Sequence, residues 1–163
     1  MLNRLNVLIV DDEPDIATLI EFNLRRMLKA EDLNIVVANN ANEALGAIQH
    51  NGHPPYDIIL SDYNMPPGMN GSEMTAAIRS EHGHLSTPVI LLTAGFDFQG
   101  IKQQALQNGV TEVLPKPFQL KDFKAALERN LPEGAFTTST PQPHETSSQP
   151  NEERPHTIPA LAI

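Results

Sequence analysis

The chain has 163 residues and 40% hydrophobic content, enough to build one domain around a core of about 130 residues. It has no cysteine, which excludes disulfides, thiolate metal sites and a cysteine nucleophile. A formal charge of −9 without a Lys/Arg cluster argues against direct nucleic-acid binding, and the absence of a signal peptide or spanning stretch points to a cytoplasmic protein with no membrane partner.

In chain order, Leu5 to Val10 is an apolar run rich in Val and Ile that ends at Asp11, Asp12 and Glu13, and it reads as a buried strand. From Pro14 to Lys29, Ile16, Leu19, Ile20, Leu24, Met27 and Leu28 recur at helical spacing, with Pro14 and Asp15 suited to a first turn. Leu33 to Ala38 is a second strand. Asn40 or Asn42 caps a helix that carries Ala44, Leu45 and Ile48 and stops near Asn51-Gly52. Pro54-Pro55 imposes an extended entry to a third strand over Ile58, Ile59 and Leu60, with Asp62 just past its end and Met65-Pro66 closing it. Ser72 is the expected cap of a helix with Met74, Ala77 and Ile78 turned inward. A fourth strand, Val89 to Leu92, ends at Thr93, and Gly95 to Gly100 reads as loop. Ile101 to Asn108 forms a short helix closed by Gly109, and Glu112 to Pro115 is a brief fifth strand ending at Lys116. Leu120, Phe123 and Leu127 form the buried stripe of a last helix.

Five strands alternating with five helices predict a five-stranded parallel sheet covered on both faces, with right-handed crossovers. In the order 2-1-3-4-5, ligands bind at the carboxyl edge between the first and third strands. Asp11, Asp12 and Asp62 meet there, flanked by Thr93 and Lys116. Taken singly, Asp62 also suits a helix cap, Lys116 a plain ion pair and Thr93 a bond to backbone. Together they suit phosphoryl transfer to an aspartate. Clustered carboxylates tolerate one another when Mg²⁺ sits among them, and a moving phosphoryl group needs fixed donors on its other side.

The stretches V-D-D-E-P, S-D-Y-N-M-P, L-T-A and L-P-K-P-F, each following a strand, resemble those of receiver domains of two-component response regulators. The resemblance implies a flavodoxin-like fold of three αβα layers over residues 5–131. By it, Asp62 is the phosphoacceptor, and Asp11, Asp12 and Asp62 hold Mg²⁺ with the main-chain oxygen of Asn64. Thr93, Ala94 and Lys116 contact the phosphoryl group, and the bond before Pro117 is cis. It further implies a donor that is a sensor histidine kinase or histidine phosphotransfer protein, with a second receiver or an effector protein as target.

The chain departs from the family pattern at three places. Pro67-Gly68 lengthens the loop after Asp62 by one residue, as in receivers that resemble those attached to or paired with histidine kinases. Val113 stands where many receivers carry a rotating aromatic, and Gly95 leaves the rim of the site bare. Without that aromatic, the expected signal is a backbone movement of the loop 94–100 and the helix after it. From Pro132 the composition turns to Pro, Ser, Thr and Gln, which predicts a disordered tail over 132–163, closing on the apolar I-P-A-L-A-I. His82 and His84 sit in a polar loop with no third ligand and read as surface residues.

The expected function is a single-domain response regulator, a signalling switch or phosphorelay intermediate rather than a conventional enzyme. The alternative is a Mg²⁺-dependent aspartyl-phosphate phosphatase on a similar fold. That chemistry wants a second aspartate two residues after the nucleophile, where this chain has Asn64.

Overall fold

A computed structural model describes residues 4–29, 33–50, 55–81 and 86–137. The strands are β1 (Leu5–Val10), β2 (Leu33–Ala38), β3 (Ile58–Asp62), β4 (Val89–Thr93) and β5 (Glu112–Pro115). The helices are α1 (Pro14–Met27), α2 (Ala41–Gln49), α3 (Gly71–Glu81), α4 (Phe98–Gln107) and α5 (Leu120–Asn130). All four strand pairings are parallel, in the order β2-β1-β3-β4-β5. Every strand therefore ends at one edge of the sheet, which is what brings distant acids together.

Strand alternation divides the core in two. Val7, Ile9, Ile58, Leu60, Ile90 and Leu92 face α1 and α5, where they meet Ile20, Leu24, Phe123 and Leu127. Leu8, Val10, Ile59 and Val89 face α2 and α3, against Ala44, Met74 and Ile78. A smaller cluster of Leu91, Ala105, Val110 and Val113 seats α4. β1, β3 and β4 are buried at every position, as expected of parallel strands covered on both faces, whereas β2, at the edge, is only half-buried over most of its length.

Asn40 caps α2, its side chain accepting from the Glu43 N–H at 2.9 Å. The expected Ser72 cap of α3 is wrong by two residues: Asn70 accepts from the Glu73 N–H at 2.9 Å, and the Glu73 carboxylate accepts from the Asn70 N–H at 3.0 Å. Ser72 is instead buried inside the first turn, where its Oγ accepts from Asn108 Nδ2. α4 begins at Phe98 rather than Ile101, because Asp97 caps it by accepting from the Gly100 N–H. Leu19 and Leu120, expected inside, are 53% and 48% exposed, since each lies on the flank of its stripe rather than its centre.

Residues 132–137, expected to lie in the tail, belong to the fold. Glu133–Ala135 form a 3-10 turn, Ala135 is buried, and Phe136 makes an antiparallel bridge with Leu28. The Thr137 N–H then donates to the Met27 carbonyl at 2.9 Å. Asn51-Gly52, His82, His84 and residues 138–163 lie outside the described residues.

Candidate functional site

β1 runs out at Val10, and the next residue is tied on both sides. The Asp11 N–H donates to the Ala38 carbonyl, and its Oδ1 accepts from the Glu13 N–H at 2.9 Å. Its other oxygen, Oδ2, is buried without a hydrogen-bond partner among the described residues. Burial holds the Asp11 carboxyl above its ordinary pKa of 3.8, with the Asp62 and Asp12 charges adding to the rise while the Glu13 N–H and Lys116 oppose it.

Asp62 is the last residue of β3, inside the strand rather than just past its end as the sequence suggested. Its main-chain carbonyl accepts from Ser61 Oγ at 2.8 Å. α3 starts directly behind it: a Cβ on Gly71 would collide with that carbonyl and with Leu91, so only glycine lets the helix begin there. Carboxylate oxygens of Asp11, Asp12 and Asp62 lie within 4.8 Å of one another, with Asp11 and Asp62 buried and Asp12 exposed.

Lys116 supplies the positive charge in this cluster. Its N–H bonds to the Thr93 carbonyl at 2.7 Å, which fixes the tip of β5 to that of β4. Its Nζ lies 3.0 Å from Asp62 Oδ1 and 3.6 Å from Asp11 Oδ2. The bond from Lys116 to Pro117 is cis. Thr93, buried, accepts at Oγ1 from the Gly95 N–H at 3.1 Å. That bond uses the hydroxyl oxygen and leaves its hydrogen able to turn into the cleft. Asn64, Thr93, Ala94, Gly95 and Lys116 line a cleft of about 450 Å³ with Asp62 among them.

The structure thus brings together at one edge all of the residues singled out by topology. It adds three features that the sequence reading missed. Glu13 lines the cleft beside Asp62, legible only as part of the acidic run after β1. Phe96 stands fully exposed on the rim, and its one signal was an aromatic stranded between Gly95 and a helix cap. A second cis bond joins Pro66 to Pro67 in the lengthened loop.

A family model for the response regulator receiver domain matches residues 7–128. The chain belongs to this family. Among solved receivers, it resembles the chemotaxis protein CheY4 of Vibrio cholerae with a TM-score of 0.65 and 30% identity, covering 78% of this chain and 99% of that one. The receiver domain of the sensor histidine kinase PA1611 from Pseudomonas aeruginosa, solved with a magnesium ion in its active-site cleft, matches at a TM-score of 0.62 and 30% identity, covering 78% and 97%. Curated relatives include the transcriptional regulator NtrC of Salmonella typhimurium, 35% identical over 77% of this chain and 24% of that protein. Another is KdpE of Mycobacterium tuberculosis, 34% identical over 76% of this chain and 51% of that protein. The chain thus spans about a quarter to a half of the length of these relatives.

Proposed function

We propose that this receiver accepts a phosphoryl group on Asp62 from the phosphohistidine of a histidine kinase or phosphotransfer protein, with Mg²⁺ bound beside it, and acts as a signalling switch or relay. The observation that carries the reading is the meeting of three carboxylates within 4.8 Å with Lys116 Nζ at 3.0 Å from Asp62, at the mouth of a cleft. The donor set is entirely oxygen, and Asp11 Oδ2, buried beside Lys116 but without a hydrogen bond among the described residues, is the kind of acceptor that a hard cation satisfies. Asp11, Asp12, Asp62 and the main-chain oxygen of Asn64 would hold the ion, which supplies positive charge against the phosphoryl oxygens.

In the transfer, a carboxylate oxygen of Asp62 forms a bond to phosphorus as the donor's P–N bond breaks, the electron pair staying on the imidazole nitrogen. Lys116, already at Asp62, donates to the phosphoryl oxygens, and the Thr93 hydroxyl turns its hydrogen to the same group. Drawing Thr93 toward phosphate pulls on Ala94 to Asp97, the loop that caps α4. Val113 is packed against Leu91, Ala105 and Val110, so it has no room to act as a rotating plug, and the loop itself carries the change. Asn64 lacks the acidity that the phosphatase alternative requires of that position.

Incubation with acetyl phosphate and Mg²⁺, followed by mass spectrometry, tests the acceptor. One phosphoryl adduct, mapped to the peptide of Asp62 and abolished by a chelator, is expected; an adduct elsewhere, or none, overturns the assignment. Amide exchange with beryllofluoride and Mg²⁺ tests the output. Altered protection across 93–109 is expected, and change confined to 62–71 would move the output surface to the Pro67-Gly68 loop.

A further inference from the structure

Between α1 and α5 runs a groove that the phosphoacceptor cleft does not use. Its upper part, about 560 Å³, is lined by Ile16, Leu19, Ile20, Phe118 and Leu120, and it reaches Lys116 and Ala94 at the rim of the site. Its lower part passes Arg26, Lys121 and Lys124 and ends at Thr137, where the described chain stops. The ridge of α1 above it presents Leu19 at 53% and Phe22 at 57% exposure, the latter with the Arg26 guanidinium 5.6 Å from its ring centre. On a chain of net charge −9, the groove is thus apolar at one end and basic at the other.

We propose that this groove is the docking site of the chain's own segment Ile158-Pro159-Ala160-Leu161-Ala162-Ile163. Three observations select this occupant over others. The described chain ends at Thr137, which lines the lower end of the groove. Glu152 and Glu153, followed by Arg154, precede the apolar segment and leave that stretch net negative, so a chain rising from Thr137 meets Arg26, Lys121 and Lys124 with its acids and the Leu19–Leu120 surface with its apolar residues. Reach is sufficient too: the 21 residues from Thr137 to Ile158 would span roughly 25 Å root-mean-square as a coil, enough to cover the ~21 Å length of a 14-residue helix such as α1. Tethering at that distance sets an effective concentration of order millimolar, so even a weak apolar contact of millimolar Kd is occupied about half the time.

The docked segment lies against the Lys116-Pro117-Phe118 turn and covers Leu19 and Leu120, so a protein donor approaching Asp62 across this rim must displace it. That regulatory consequence rests on the phosphoacceptor reading; the docking itself does not.

The absence of cysteine makes a direct test available. The full-length chain, ¹⁵N-labelled and carrying a nitroxide at Thr157→Cys, is examined by paramagnetic broadening at low concentration without phosphate donor or metal. The amides of Leu19, Asn23 and Leu120 are expected to lose roughly half of their intensity or more, following the occupancy above, and to recover it in Ile158→Asp/Leu161→Asp. Absence of broadening overturns the proposal, as does broadening that survives the double substitution. Broadening of the ¹⁵N chain that arises only when unlabelled spin-carrying chains are mixed in assigns the groove to a second copy, which also overturns it. None of these readouts involves phosphorylation, so failure of the docking and failure of the acceptor assignment are told apart.

Discussion

One aspartate, Asp57, stands just before β3 and another, Asp62, ends it, and the two are treated in opposite ways. At the amino edge, the carboxylate of Asp57 accepts from the Asn6 N–H at 2.7 Å while the Asp57 N–H returns a bond to the Asn6 carbonyl at 2.8 Å. Asn34 Nδ2 donates to Asn6 Oδ1 at 3.0 Å, closing the edge with neutral partners. At the carboxyl edge Asp62 meets two further acids and a lysine, and a buried oxygen of Asp11 has no hydrogen bond among the described residues. The same residue type thus serves stability where the backbone satisfies it. On the proposed reading it serves chemistry where the fold holds it short of satisfaction, because only there can a cation or phosphoryl group add bonds the protein lacks.

The sharpest way to break this comparison is to neutralise each aspartate in turn. Asp62→Asn is expected to abolish the phosphoryl adduct seen by mass spectrometry while circular dichroism stays native. Asp57→Asn is expected to keep the adduct and to lose about 1 kcal/mol in urea unfolding, the usual worth of a charge-assisted hydrogen bond traded for a neutral one. Loss of the adduct in Asp57→Asn with the fold intact would erase the distinction between the edges.

Gly71→Ala probes how tightly the carboxyl edge is built. The new methyl meets the Asp62 main-chain carbonyl, which cannot swing aside as a side chain can, so a loss of about 1–3 kcal/mol in unfolding is expected. An unchanged midpoint would show that α3 shifts freely behind the site. Asp12→Ala removes one acid of three and is expected to weaken Mg²⁺ binding about tenfold or more, measured by titration calorimetry. With less repulsion in the cluster, its apo melting temperature is expected to hold or rise slightly. Unaltered Mg²⁺ affinity would place the metal elsewhere.

The smallest effect belongs to the amino edge. Tyr56 is buried with its hydroxyl unpartnered among the described residues, and burial raises its pKa above the ordinary 10.0. For such a group the neutral form favours the fold: its contribution is complete below pH 10.0 and is lost as pH rises through the folded value. Tyr56→Phe is therefore expected to be neutral or to stabilise by up to about 1 kcal/mol at pH 7 and to flatten the loss of stability in alkali. Equal alkaline melting curves for the two proteins would show that the hydroxyl is solvated.

Much of this arrangement was legible before any coordinates. Apolar runs of Val, Ile and Leu ending in acids, a hydroxyl and a lysine set both the parallel sheet and the residues at its edge, since topology forces all the ends together. Finer placement depends on contacts that a one-dimensional pattern does not carry. Asn70 and Ser72 are equally good caps by residue type, and only the burial of Ser72 against Asn108 decides between them. Helical spacing identifies Leu19 and Leu120 as apolar-face residues but not whether a neighbour covers that flank. Residues 132–137 read as tail by composition, yet their main chain pairs with the end of α1, a bond type that any sequence can make.

β2 carries a cost of its own. Only β1 pairs with it among the described residues, and its sequence Leu-Asn-Ile-Val-Val-Ala has neither a charge nor a proline, with Val37 41% exposed. Such an edge is a template for strand addition by another copy, and mutual repulsion between chains of charge −9 opposes that addition. Salt shortens the range of that repulsion to about 8 Å at physiological ionic strength and to about 3 Å at 1 M. Colloidal stability of this protein should therefore fall as salt is added, and a lysine in place of Val37 should restore it.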